Sequence, residues 1–214
     1  MTTVRRIRVV LAEDHEMVRQ GLRSLLDGVE DVEVIGEAKD GPSAVAMVEA
    51  KGPDVVVMDF GLPGLNGADA TARLKRSRPD VAVVMLSMRD DAPTVDRALR
   101  AGARGYVVKG AGVDALCEAI RSAARGEVYL SPAVSDYVLQ GYLAKEDAPT
   151  DPLTAREREV LQLVAEGLTG RQVAARLGLA PKTVDNHRAR ILDKLGIRTT
   201  AGLVRYAIHS GLVD

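Results

Sequence analysis

A single cysteine, Cys117, stands in the 214 residues, which excludes an internal disulfide framework and suits a reducing compartment. Its helical neighbours Leu116, Ala119 and Ile120 mark it as a buried structural thiol rather than a reactive one. No apolar run approaches the roughly 20 residues that a membrane-spanning helix needs. The start carries Arg5 and Arg6, as an export signal would. The apolar stretch behind them is only residues 7–12, interrupted by Arg8 and ended by Glu13 and Asp14, so the expected location is the cytoplasm, with no membrane partner. Internal repeats and low-complexity tracts are also missing. Net charge is −1, which taken alone argues against nucleic acid as a partner.

That charge is unevenly spread. From Asp151 onward 10 Lys/Arg face 7 Asp/Glu, whereas 19 face 23 before it. An acidic module thus precedes a basic one whose cations concentrate between Lys182 and Arg198, and only the second is expected to meet phosphate backbones. The length is comfortable for two domains.

Three short β-branched runs, IRVVLA (7–12), DVVVMD (54–59) and VAVVMLS (81–87), are nearly continuous rather than alternating, as strands buried on both faces are. Helical spacing follows at 15–27, 42–51, 66–77, 92–101 and 112–125, and weaker strands fit at 32–38 and 105–109. This five-fold alternation predicts an α/β doubly wound, five-stranded parallel sheet over residues 1–127. After Arg125 the alternation stops. Residues 128–150 read as a linker holding a short helix from Pro132 to Leu143 and the charged, proline-bearing AKEDAPTDP (144–152). Residues 151–214 then read as an all-α, four-helix unit, with capping boxes at Thr154/Glu157 and Thr169/Gln172.

Ligands of parallel sheets sit at the carboxyl ends of the strands. There the sequence puts Glu13 and Asp14 after the first strand, Asp59 after the third, Ser87 after the fourth and Lys109 after the fifth. Three carboxylates in one place repel one another unless a cation joins them, and oxygen-only ligands favour a hard divalent ion such as magnesium. A carboxylate can then attack phosphorus while the metal and the Lys109 ammonium neutralise the equatorial oxygens and the Ser87 hydroxyl donates to a third.

These residues resemble the CheY-like receiver domains of flavodoxin-like fold: the acidic pair, DFGLPGLNG around Asp59, LS at 86–87 and GYVVK at 105–109. The resemblance implies that Asp59 is phosphorylated, that Glu13, Asp14, Asp59 and the Gly61 backbone carbonyl bind magnesium, and that Ser87 and Tyr106 form a switch, the ring following the hydroxyl inward. Two departures are Gly61, where most relatives carry a side chain associated with phosphate lifetime, and Gly110, where many have proline.

In the second unit, residues 153–197 break into three helices at Gly167 and Gly178, a helix-turn-helix layout, with Pro181 at the first position of the third. On a helical wheel Val184, Ile191 and Leu195 face the core, while Lys182, Asn186, Ala189 and Arg190 project roughly opposite. The expected DNA-binding residues are Lys182, Thr183, Asn186, Arg188, Arg190 and Lys194: Asn186 to an adenine edge, Lys182 or Arg190 to guanine or phosphate, Arg188 and Lys194 to the backbone. LTAREREVL, the small-residue turn and TVDNHRARILDKL resemble the LuxR-type domain. Ala180 departs from it, standing where relatives often carry a Ser or Thr cap, a loss worth about 0.5–2 kcal/mol. Together the two resemblances are those of the NarL/FixJ-type two-component response regulators. They imply a cognate histidine kinase, double-stranded DNA and a second copy of the chain as partners, the copies meeting through a final helix at 199–210 with Leu203, Val204 and Ala207 apolar. They also imply no enzymatic activity beyond the receiver's own phosphoryl transfer and its reversal. A haloacid-dehalogenase-type phosphatase would need a second Asp where Gly61 stands; a phosphorylation-independent regulator would not need the set Asp14, Asp59, Ser87 and Lys109.

Overall fold

In the computed structural model, residues 5–135 and 152–213 are described. The chain divides into two compact units, Met1–Ala144 and Lys145–Asp214.

The first unit alternates β1 (Ile7–Ala12), α1 (Glu16–Asp27), β2 (Val32–Ala38), α2 (Gly41–Lys51), β3 (Val55–Asp59), α3 (Gly67–Ser77), β4 (Ala82–Ser87), α4 (Ala92–Arg100), β5 (Gly105–Val108) and α5 (Val113–Ala124). All strand pairs are parallel. The two-residue period of the strands explains their continuous apolar runs. Val10, Ala12, Val56 and Met58 pack on one side with Val45 of α2, Leu74 of α3 and Val95 of α4. Val9, Leu11, Val55 and Val57 pack on the other with Leu26 of α1 and Ile120 of α5. Each fully buried aliphatic side chain contributes about 1.5–3 kcal/mol. Helix starts are fixed by side-chain caps: Asp40 accepts from the Ser43 amide, Asn66 from Asp69 and Asp91 from Thr94.

The sheet runs one strand further than the expected five. A two-residue β6 (Tyr129–Leu130) pairs in parallel with β5, giving the order β2-β1-β3-β4-β5-β6 among the described residues. Residues 132–135 then form a helical turn, and Val134 is fully buried in the core on the α2–α3–α4 side of the sheet. The first part of the expected linker is therefore built into the sheet domain. The remainder of the helix expected to Leu143, and all but the last residue of 144–152, lie outside the described residues.

The second unit holds α6 (Ala155–Ala165), α7 (Gly170–Leu177), α8 (Pro181–Leu195) and α9 (Thr200–His209) around Val160, Leu163, Val173, Val184, Ile191 and Leu203. Both capping boxes are present. The turn between α7 and α8 opens on Gly178 at φ 64°, a left-handed conformation that favours glycine. Among the described residues no helix is long and apolar enough to cross a membrane.

Candidate functional site

The strand order reverses between β1 and β3, so a crevice opens at their carboxyl ends. Glu13 and Asp59 line it, buried at 1% and 4% exposure. The Lys109 ammonium, carried just past β5, lies 2.8 Å from Glu13 Oε2 and 2.8 Å from Asp59 Oδ1. Asp59 Oδ2 accepts from the Gly61 amide at 3.2 Å. Burial pushes the Asp59 carboxyl up to about 6, the Glu13 charge adding to the rise and Lys109 working against it. Burial likewise works against the Lys109 charge, but Asp59 and Glu13 more than offset it and hold the ammonium's pKa above its usual value.

The donor set fits a hard divalent ion. Glu13 Oε2 and Asp14 Oδ1 are buried oxygens with only a positively charged group beside each, Lys109 at 2.8 Å from the former and His15 at 2.9 Å from the latter. Ionising the third carboxylate here is unfavourable without further positive charge, which a cation supplies. Among the described residues Glu13, Asp14 and His15 form a grouping whose ligand atoms lie within 4.8 Å of one another. His15 went unnoticed in the sequence because its only signal is adjacency to the acidic pair. Its Nδ1 sits 3.1 Å from Glu13 Oε1 and 2.9 Å from Asp14 Oδ1, and the Glu13 hydrogen bond, with the Asp14 charge, raises its pKa.

Ser87 ends β4, 3% exposed, and its Oγ accepts from the Arg89 amide at 3.1 Å. Tyr106 is fully buried, its ring turned into the core, and its hydroxyl donates to the Arg89 carbonyl at 2.6 Å. Both residues therefore grip residue 89 at the start of the β4–α4 loop. Burial raises the phenol to about 12, so it stays a donor. Cys117 is buried and its thiol pKa is raised by that burial, as a structural thiol's would be.

In the second unit Lys182, Asn186, Ala189 and Arg190 are exposed along α8, while Val184 and Ile191 are buried beneath them. Thr183 and Arg188 are half-buried at its flanks, Arg188 donating to Thr200 Oγ1 at 3.3 Å. Ala180 makes no side-chain cap. Two expected contact residues are engaged within the unit. The Lys194 ammonium lies 2.6 Å from Oε2 of the buried Glu157 on α6. Of the apolar residues expected on the final helix, Leu203 and Ala207 are used inside the unit, at 1% and 0% exposure, and Val204 is half-buried, while Ile208 is exposed at 45%.

An open parallel sheet with acids and a lysine at its switch point, followed by a helix-turn-helix unit, defines a receiver joined to a DNA-reading module. Residues 9–121 match the response regulator receiver domain family, and residues 151–207 match the luxR family of bacterial regulatory proteins. The response regulator GacA of Pseudomonas aeruginosa is 35% identical over 97% of this chain and 98% of that protein. The transcriptional regulatory protein MctR of Rhizobium johnstonii is 38% identical over 100% of this chain and 99% of that protein. Among solved structures, the response regulator ChrA of a heme-sensing two-component system is 36% identical at a TM-score of 0.54, covering 97% of this chain and 99% of that one. The response regulator RcsB in complex with DNA is 26% identical at 0.58, covering 94% and 97%. The chain belongs to the response regulators that join a receiver domain to a LuxR-family DNA-binding domain. Its class couples receiver phosphorylation to dimerisation, DNA binding and transcription.

Proposed function

We propose that a histidine kinase phosphorylates Asp59 and that this controls dimerisation and sequence-specific binding to double-stranded DNA. The observation that supports it most is the Lys109 ammonium bridging Asp59 and Glu13 at the switch point. An Asp59 carboxylate oxygen attacks phosphorus, the bond from phosphorus to the donor breaks, and the leaving group takes up a proton. Lys109 and Ser87 receive charge on the equatorial phosphoryl oxygens. Glu13, Asp14, Asp59 and the Gly61 carbonyl would hold magnesium, which when bound supplies further charge neutralisation at those oxygens. Drawing the Ser87 hydroxyl onto the phosphoryl group removes an acceptor from the Arg89 amide, so the β4–α4 loop and Tyr106 respond together.

Incubation with magnesium and acetyl phosphate is expected to add one phosphoryl group to the intact mass, and Asp59→Asn to abolish it. Labelling that persists in the variant would move the acceptor elsewhere, and no labelling at all would favour the phosphorylation-independent regulator.

For DNA, Asn186 is proposed to read a base edge, Lys182, Thr183 and Arg190 to meet bases or phosphates beside it, and Arg188 to meet the backbone. Asn186→Ala is expected to cost about 1–3 kcal/mol on the preferred duplex and to leave non-specific binding almost intact. Paired titrations on preferred and scrambled duplexes check this, and an equal loss on both would make Asn186 a scaffold residue.

A further inference from the structure

Ser131 lies six residues beyond Arg125, where the sequence pattern fades, yet it is 1% exposed and fully engaged with β5. Its amide donates to the Tyr106 carbonyl at 2.9 Å and its hydroxyl donates to the same oxygen at 3.0 Å. The same hydroxyl accepts from the Val108 amide at 3.0 Å. A side chain thus takes the place of a backbone carbonyl in extending the ladder past the two residues of β6. The Ser131 carbonyl then accepts from the Val134 and Ser135 amides, opening the helical turn whose Val134 is sealed in the core.

The residues gripped are those flanking the receiver chemistry. Tyr106 holds residue 89 beside Ser87, and Val108 immediately precedes Lys109, which pairs with Asp59. From Ser131 the chain runs on toward the DNA-binding unit. We propose that Ser131 is a positioning residue through which β5 passes the phosphorylation state of Asp59 to the chain leaving the receiver. The proposal rests on the reading of Asp59 as phosphoacceptor. A displacement of residues 106–109 cannot leave Ser131 in place without stranding a buried amide, hydroxyl or carbonyl, so β5 and residues 129–135 move as one body. Coupling between two sites through such a contiguous network is measurable as a ratio of affinities.

The test compares wild type, Ser131→Ala and Ser131→Thr as full chains, with and without magnesium and beryllofluoride, on a duplex selected from a random pool by the loaded wild type. Loss of the hydroxyl is expected to shrink the affinity gain on loading at least fivefold, and Thr, which keeps the hydroxyl, to restore most of it. General destabilisation would lower both affinities alike and leave the gain unchanged. An undiminished gain in Ser131→Ala, or a Thr variant no better than Ala, overturns the proposal. No gain in wild type defeats the control of DNA binding by phosphorylation, and the Ser131 role falls with it, whereas the labelling test of Asp59 stands apart. Should the variants not fold, hydrogen exchange on wild type decides: loading is expected to slow the Val108 and Ser131 amides at least threefold, and unchanged or faster exchange overturns the coupling.

Discussion

Gly67→Ala is expected to destabilise the receiver by about 3 kcal/mol and to slow phosphorylation of Asp59 at least about tenfold. Gly67 is the first residue of α3, and its amide donates to the Phe60 carbonyl at 2.9 Å. A Cβ there would overlap the carbonyl oxygen of Asp59, and backbone cannot swing aside as a flexible side chain does. Either α3 backs away from the sheet or the end of β3 shifts, and the second moves the nucleophile relative to Lys109. Gly21, exposed in the middle of α1, is the contrasting control. A Cβ there meets nothing within 4 Å, so Gly21→Ala is expected to stabilise by about 0.5–1 kcal/mol through helix propensity. Chemical denaturation and acetyl phosphate labelling of both variants check the pair. Equal stability and equal labelling rates would show that α3 yields without disturbing the phosphorylation pocket.

The two glycines illustrate which features the sequence carried. Asp59 and Ser87 could be placed because a buried parallel strand reads as an unbroken β-branched run, so its end, and the residue at that end, is marked locally. Helical spacing marked the helices between, and the weaker strands at 32–38 and 105–109, with Lys109 after the second, followed from the alternation. The close approach of Gly67 to β3 has no local mark, since it depends on how a helix start meets a strand 8 residues earlier in the chain. Tyr129 and Leu130 are too few to show a period, and the ladder role of Ser131 exists only because β5 lies alongside. In the helix-turn-helix unit the wheel separated core from surface correctly along α8 for Val184, Ile191, Asn186 and Arg190. It gave the direction of a side chain around the axis but not what a neighbouring helix offers there. Leu203 and Ala207 could be read as an apolar stripe, but not as one already covered by the unit's own core.

Lys194→Ala is expected to lower the stability of the DNA-binding unit by about 1–2 kcal/mol while leaving the salt dependence of DNA binding nearly unchanged. Glu157 is 3% exposed, closes the capping box of α6, and accepts from the Thr154 amide at 2.8 Å as well as from Lys194 at 2.6 Å. Burial works against its charge, but Lys194 and Thr154 more than offset that and hold the carboxyl down at about 2. Because the folded pKa is depressed, the stabilisation is complete above the ordinary value near 4.5 and is lost as pH falls from there toward 2. Removing the ammonium leaves a buried carboxylate held by Thr154 alone, so its folded pKa moves back toward the ordinary value and less stability is lost between pH 4.5 and 2 in the variant than in wild type. Amide exchange at Val184 and Ile191 reads the opening of this unit without a contribution from the receiver. A lysine occupied by Glu157 releases no counterion when DNA binds, so the slope of log affinity against log salt should change by well under the roughly one unit that a lost phosphate contact gives. A slope flattened by a full unit with stability intact would return Lys194 to the DNA backbone and leave Glu157 paired only through its cap.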